Sequence, residues 1–200
     1  MARVYLETGR SWVFAGAVDW PGWCRRGKGE EAALEALLDY AGRYAAAVGT
    51  FDPGELEVIG RLPGTMTTDF GAPDAIGPWD ADPMPPGERA RHAGLLTKCW
   101  DALDTVAARA PAVLRKGPRG GGRDRDAMVD HVREAERAYS RKLGVRVPPR
   151  TPWTTQREAL LEAVAADPAG TWPVRYAIRR IAWHVLDHAW ELEDRSGSDS

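Results

Sequence analysis

Cysteine is nearly missing from this sequence. The two thiols, Cys24 and Cys99, stand 75 positions apart in 200 residues and form no CxxC pair. That excludes a disulfide framework and a thiolate zinc site as the organising principle. Long apolar runs are missing too. Charged residues make up 28% of the chain, and no hydrophobic stretch approaches the ~18 residues of a spanning helix, so no membrane association is expected. The opening Met1-Ala2-Arg3-Val4-Tyr5-Leu6-Glu7 lacks the uninterrupted apolar stretch of a secretory signal, which makes cytoplasmic residence the expectation. Gly120-Gly121-Gly122 lacks the preceding strand and the Gly-Lys-Ser/Thr ending of a phosphate loop. No Ser–His–Asp or Cys–His arrangement stands out. Lysine is scarce as well, at four of 27 basic residues (Lys28, Lys98, Lys116, Lys142), and with abundant Ala, Gly and Pro this points to a genome of high GC content.

What is present is tryptophan, nine in all, a residue suited to packing seams and pocket walls. The charge is uneven. Residues 1–87 carry 7 basic and 13 acidic side chains, whereas residues 88–200 carry 20 and 16. The change falls beside the proline-dense segment 77–87, whose composition disfavours regular helix and marks a connector. The chain therefore reads as α+β overall. A small N-terminal α/β module over 1–76 precedes the connector, a C-terminal helical region covers 88–195, and 196–200 is a polar tail expected to be disordered.

In the first module, residues 4–7 and 11–18 pattern as a hairpin around Thr8-Gly9-Arg10, followed by a Pro21-Gly22 turn flanked by aromatics. Residues 30–47 pattern as one amphipathic helix with Ala33, Leu34, Leu37, Leu38, Ala41 and Tyr44 on its apolar face. Residues 55–60 read as a further strand. In the second region, four helices are expected near 88–108, 126–143, 155–165 and 173–194, with Pro168-Ala169-Gly170 ending the third and Pro173 opening the fourth.

The four histidines carry the chemistry. His184 and His188 lie four apart on the last helix, on the stripe formed by Ala177, Ile181, Val185 and Leu192. His131 falls among Met128, Val132, Ala135 and Tyr139 on the packing side of its helix. Three imidazoles directed at one interior would each lose on the order of 1–3 kcal/mol if unpaired. A divalent metal removes that cost and leaves open coordination positions. The alternative is a set of satisfied core or surface histidines, with Asp187 and Glu191 as acceptors. Asp130, Glu134, Asp187 and Glu191 are the nearby acids able to orient a ligand ring, and Tyr139 and Trp183 are candidate pocket walls. His92 is assigned to the surface.

The passages "MVDHVREAERAYSRKLG" and "RRIAWHVLDHAWELEDR" resemble the DinB-like four-helix-bundle superfamily over residues 88–195. That resemblance implies a divalent metal, with His131, His184 and His188 at the ligand positions. It further implies a transferase that uses a low-molecular-weight thiol (mycothiol-type, in view of the GC-rich composition) and a small electrophilic substrate. An all-imidazole site suits zinc, nickel, iron or copper. The "DWPGWCRRGKGEEAALEAL" passage resembles the HicB-like ββα module over about the first 50 residues, which implies pairing with a partner or a homodimer. The second reading is accordingly a non-enzymatic metal-binding or interaction module with a structural or vestigial site.

Other signals are weaker. The basic loop from Arg115 to Arg125 is offset by Asp124 and Asp126 and has no interleaved aromatics, so no nucleic-acid partner is expected. Arg175, Arg179 and Arg180 on the last helix are candidates to receive an anionic substrate, or else a solvated face. Cys99 is expected to be buried and inert, and Cys24 to be exposed after its turn.

Overall fold

The computed structural model describes residues 1–117, 122–168 and 170–197. Part of the basic loop (118–121), Ala169 of the helix stop and the end of the tail (198–200) lie outside the described residues. The fold is α+β, with a small mixed sheet first and helices after it. Strands β1 (Ala2–Thr8), β2 (Val13–Ala17) and β3 (Cys24–Gly27) run antiparallel in sequence, and β4 (Leu56–Pro63) returns parallel to β1, giving the order β3-β2-β1-β4. Between β3 and β4 lie α1 (Glu30–Asp39) and α2 (Ala41–Val48). The short α3 (Met66–Phe70) follows β4, and then come α4 (Pro86–Arg109), α5 (Arg125–Ser140), α6 (Trp153–Ala166) and α7 (Val174–Ser196). Among the described residues no helix is long and apolar enough to cross a membrane.

Alternation along β1 decides its two faces. Ala2, Val4 and Leu6 join a core that also holds Leu37 and Tyr44, whereas Tyr5 and Glu7 point the other way and are buried there by the chain after β4. Tyr5 packs on Trp79 at 5.6 Å between ring centroids. The buried Glu7 carboxylate accepts hydrogen bonds from the Thr68 hydroxyl and from the backbone N–H groups of Asp74 and Ala75. Both faces of the sheet are therefore covered.

Several local expectations change. The apolar run 30–47 is two helices, because the backbone turns at Tyr40, whose ring docks on Trp190 of α7 at 5.0 Å. That break leaves Leu38 45% exposed while Leu37 and Tyr44 stay buried. Cys24 is not an exposed residue after a turn but the buried first residue of β3, and burial pushes its thiol up to about 12. The connector is not a bare linker. Pro78–Asp80 form a 3-10 turn, Trp79, Asp80 and Met84 are buried, and Pro86 already opens α4. Ser196, assigned to the tail, is the last residue of α7.

α7 is the central rod. It is buried on all sides over Val174–Leu186, although Arg175, Arg179, Arg180 and His184 interrupt its apolar and aromatic sequence. Both α4 and α5 pack along it, and α6 packs against α4 and α5. The buried Glu136 of α5 ties three helices together, accepting from the Trp100 indole of α4 (2.6 Å) and from Trp153 (2.7 Å) and Gln156 (3.1 Å) of α6. Burial raises the Glu136 carboxyl above its ordinary range, and these donors pull it back. Glu136→Gln presents an amide donor to at least one indole N–H. It is expected to cost about 1–3 kcal/mol in urea denaturation, and a change below about 0.5 kcal/mol would contradict this role.

The sheet module meets α7 directly. Gly22 adopts φ +94°, and a Cβ there would lie 2.9 Å from Leu186 and 3.3 Å from Ala182, so the Pro-Gly turn approaches α7 more closely than any side chain permits. Phe14 of β2 meets Trp183 edge-on at 6.0 Å, and Arg25 of β3 pairs with Asp187 at 2.9 Å. The main buried hydrophobic cluster contains residues from both sides of segment 77–87.

Candidate metal centre

Two helices position three histidines. His131 extends from α5, and His184 and His188 extend from successive turns of α7. One ring nitrogen from each can be chosen so that all three lie within 4.8 Å of one another. Centroid separations are 5.1 Å for His131–His184, 5.0 Å for His131–His188 and 4.6 Å for His184–His188, with the rings steeply inclined to each other. The predicted trio is therefore brought together. A point central to three atoms no more than 4.8 Å apart lies within about 2.8 Å of each. Contraction by under ~1 Å, a small change in side-chain torsion, reaches the 2.0–2.1 Å of a metal–imidazole bond. The donor set fits a first-row divalent ion.

Protonation favours the same use. Burial, reinforced by the neighbouring His188 and by Arg180, holds His184 well below the usual imidazole range. His131 is lowered by burial and by His188. Both are neutral near pH 7, the state that offers a lone pair.

Of the four acids considered from sequence, one reaches a ligand ring. Glu191 Oε2 lies 3.1 Å from Nδ1 of His188, while its Oε1 accepts from Arg195 at 2.8 Å. His188 first, and Arg195 after it, hold the Glu191 carboxyl below its ordinary range. An Nδ1–H donated to Glu191 leaves Nε2 of His188 as the free donor, the usual orientation of a ligating imidazole. Asp187 instead pairs with Arg25, Glu134 pairs with Arg137, and Asp130 is exposed. Tyr139 stands edge-on to His184 at 5.7 Å, and the Trp183 ring lies 6.2 Å from it, so both candidate walls are beside the site.

His92 is not a surface residue. It is 0% exposed on α4, and neither ring nitrogen has a hydrogen-bond partner. Its position near the start of a helix suggested exposure, but α4 is covered there by other elements. Arg175, Arg179 and Arg180 of α7 are also buried rather than solvated, at 5%, 5% and 7% exposure. Arg175 pairs with Glu88, and Arg179 with Asp80 through both carboxylate oxygens at 2.8 and 2.6 Å.

A cavity of about 570 Å³ lies behind Glu191, lined in part by Arg25, Tyr40, Trp190 and Arg195. None of the three histidines lines it, so it is separate from the ligand atoms. No family model, curated protein or solved structure matches this chain. The site's own geometry is what supports a function.

Proposed function

We propose that His131, His184 and His188 hold a divalent metal ion, and that the protein is a metal-dependent, DinB-like transferase acting through a low-molecular-weight thiol. On this reading α4 to α7 form the four-helix bundle of that superfamily, and the sheet module is an N-terminal addition of HicB-like pattern. The observation that carries it is the convergence of three imidazoles from α5 and α7, with Glu191 behind one of them. Among the described residues the cluster has three donors and no fourth, the open arrangement of a site that accepts an exogenous ligand.

The ion supplies a positive charge that lowers a thiol's pKa from about 8.5, so that the thiolate is available near neutral pH. The chain's own residues do the rest. Glu191 fixes the tautomer and rotation of His188, and Arg195 anchors Glu191. Tyr139 and Trp183 flank His184 with apolar ring surface, which limits water beside the reacting sulfur.

The test is elemental analysis of protein purified without a polyhistidine tag, followed by chelation and reloading. The expected result is one metal per chain in the wild type and in a His92→Gln control, and none retained after dialysis in His131→Ala or His184→Ala. Reloading at a hundred times Kd raises stability by about 2.7 kcal/mol. Metal content unchanged in His184→Ala would overturn the site. A cobalt-loaded spectrum indifferent to added thiol and azide would favour the second reading, a closed structural site in a non-enzymatic module.

A further inference from the structure

Four arginines are buried on α7; Arg195 pairs with Glu191 near its end, and the structure treats the other three differently. Arg175 and Arg179 each face a carboxylate, Glu88 and Asp80. Arg180, 7% exposed, forms no ion pair with any described residue, and its buried Nε and Nη1 have no hydrogen-bond partner. Its contacts are aromatic. The guanidinium carbon lies 5.0 Å from the centroid of Tyr139 and 4.8 Å from that of Trp183. Those cation–π contacts offset only part of the cost of taking a guanidinium out of water. Two buried N–H groups left open on a guanidinium invite an acceptor, and a carboxylate is the strongest one available to it.

Its location gives the acceptor a context. Arg180, His184 and His188 succeed one another at intervals of four on α7, so they share one face of the helix. The two rings that hold Arg180 are also the two that flank His184. Four residues of helix rise about 6 Å, the scale of a small molecule that spans from a metal-bound atom to a guanidinium. Among the described residues the one acid in hydrogen-bond contact with the trio, Glu191, is already engaged by His188 and Arg195 at the opposite end of the stripe.

We infer that Arg180 is an anion subsite beside the three-histidine centre, and that the ligand taken there carries a carboxylate close to its thiol. The inference rests on the metal-site reading for the thiol end and on Arg180 alone for the carboxylate end. Tyr139 and Trp183 hold the guanidinium in place, and the ligand's carboxylate accepts from Nε and Nη2, the edge that Arg179 turns to Asp80.

The test compares mercaptoacetate with mercaptoethanol, which match in length and differ in the anionic group. Binding to cobalt-loaded protein is followed by its charge-transfer absorption. The wild type is expected to bind mercaptoacetate about tenfold more tightly or better. In Arg180→Gln the preference falls to within about twofold, with mercaptoethanol affinity and metal content retained. Arg180→Lys keeps part of the preference, because the charge persists without the planar fork. That variant serves as the readout if the glutamine variant does not fold. A preference unchanged in both variants overturns the subsite. Metal-free protein separates the two claims. Acetate titrated calorimetrically should bind the wild type, at millimolar strength, and not Arg180→Gln. Acetate binding without any metal retention would sink the metal reading and keep the subsite. Metal retention with equal acetate response in wild type and variant would do the reverse.

Discussion

Arg179→Met is expected to lower unfolding free energy by about 3–5 kcal/mol, the effect of leaving one member of a buried ion pair without its partner. Asp80 has a fully buried side chain, and both of its oxygens face the Arg179 guanidinium. Oδ2 also accepts from the backbone N–H of Gly77, which closes the 3-10 turn over Pro78–Asp80. Removing the cation leaves a carboxylate that neither water nor another side chain reaches. The loss has a conformational side as well. This pair fastens segment 77–84 to α7, and with it Trp79, which lies over Tyr5 of the sheet. Urea denaturation of the single variants and of the Asp80→Asn/Arg179→Met double variant measures the coupling. The double variant is expected to be more stable than the sum of the single losses implies, since the orphaned charge is gone. A cost below about 1 kcal/mol for Arg179→Met would show that the pair contributes no more than a surface bridge.

The second large effect is a pH dependence seated at His92. Burial pushes this imidazole down to about 4, with Glu88 opposing the shift and Arg91 and Arg175 adding to it. Its Nε2 stands 3.9 Å from Glu88, too far for a hydrogen bond, so protonation gains little in return for desolvation. The unfolded chain has an ordinary His value near 6.5. Between pH 6.5 and 4 the unfolded state binds the extra proton, so stability rises with pH there. The contribution is fully present above pH 6.5 and is lost as the pH falls toward 4, by about 3 kcal/mol at 1.36 kcal/mol per pH unit. His131 and His184 shift the same way in metal-free protein, so the His92 share is read as the difference between wild type and His92→Gln. Their stability curves should converge on acidification. Parallel curves from pH 7 to 4 would show that His92 stays neutral or gains a partner.

The sequence made the histidine trio legible for a simple reason. A four-residue interval on one helix and an apolar stripe on another fix which way the side chains point, and the structure brings His131, His184 and His188 together as that periodicity implied. Strands β1, β2 and β4 and all four long helices after residue 85 were equally readable, because each has its own local pattern. What escaped was set by distant contacts. Nothing in Arg25-Arg26 advertises a strand, yet both lie in β3 because that segment pairs with β2. The break at Tyr40 falls where its ring meets Trp190, 150 positions later. His92 and Arg180 look like solvent-facing residues by type, and their burial comes from what lies over them. The Thr65 side chain that caps α3, accepting from the Thr67 N–H at 3.0 Å, is by contrast a purely local signal. Among the four acids near the histidines, spacing alone gave no way to choose Glu191 over Asp187, since either faces a ring on a helix; the choice was made by Arg25 arriving from the sheet.

The shared use of α7 has a further consequence. The turn at Gly22, the Phe14 ring and the Arg25 side chain press on the same stretch of helix that presents His184 and His188 to His131. The aim of two imidazoles is thus governed from the far side of the rod by strands that supply no donor atom, and the β-sheet acts as the splint that keeps the claw set.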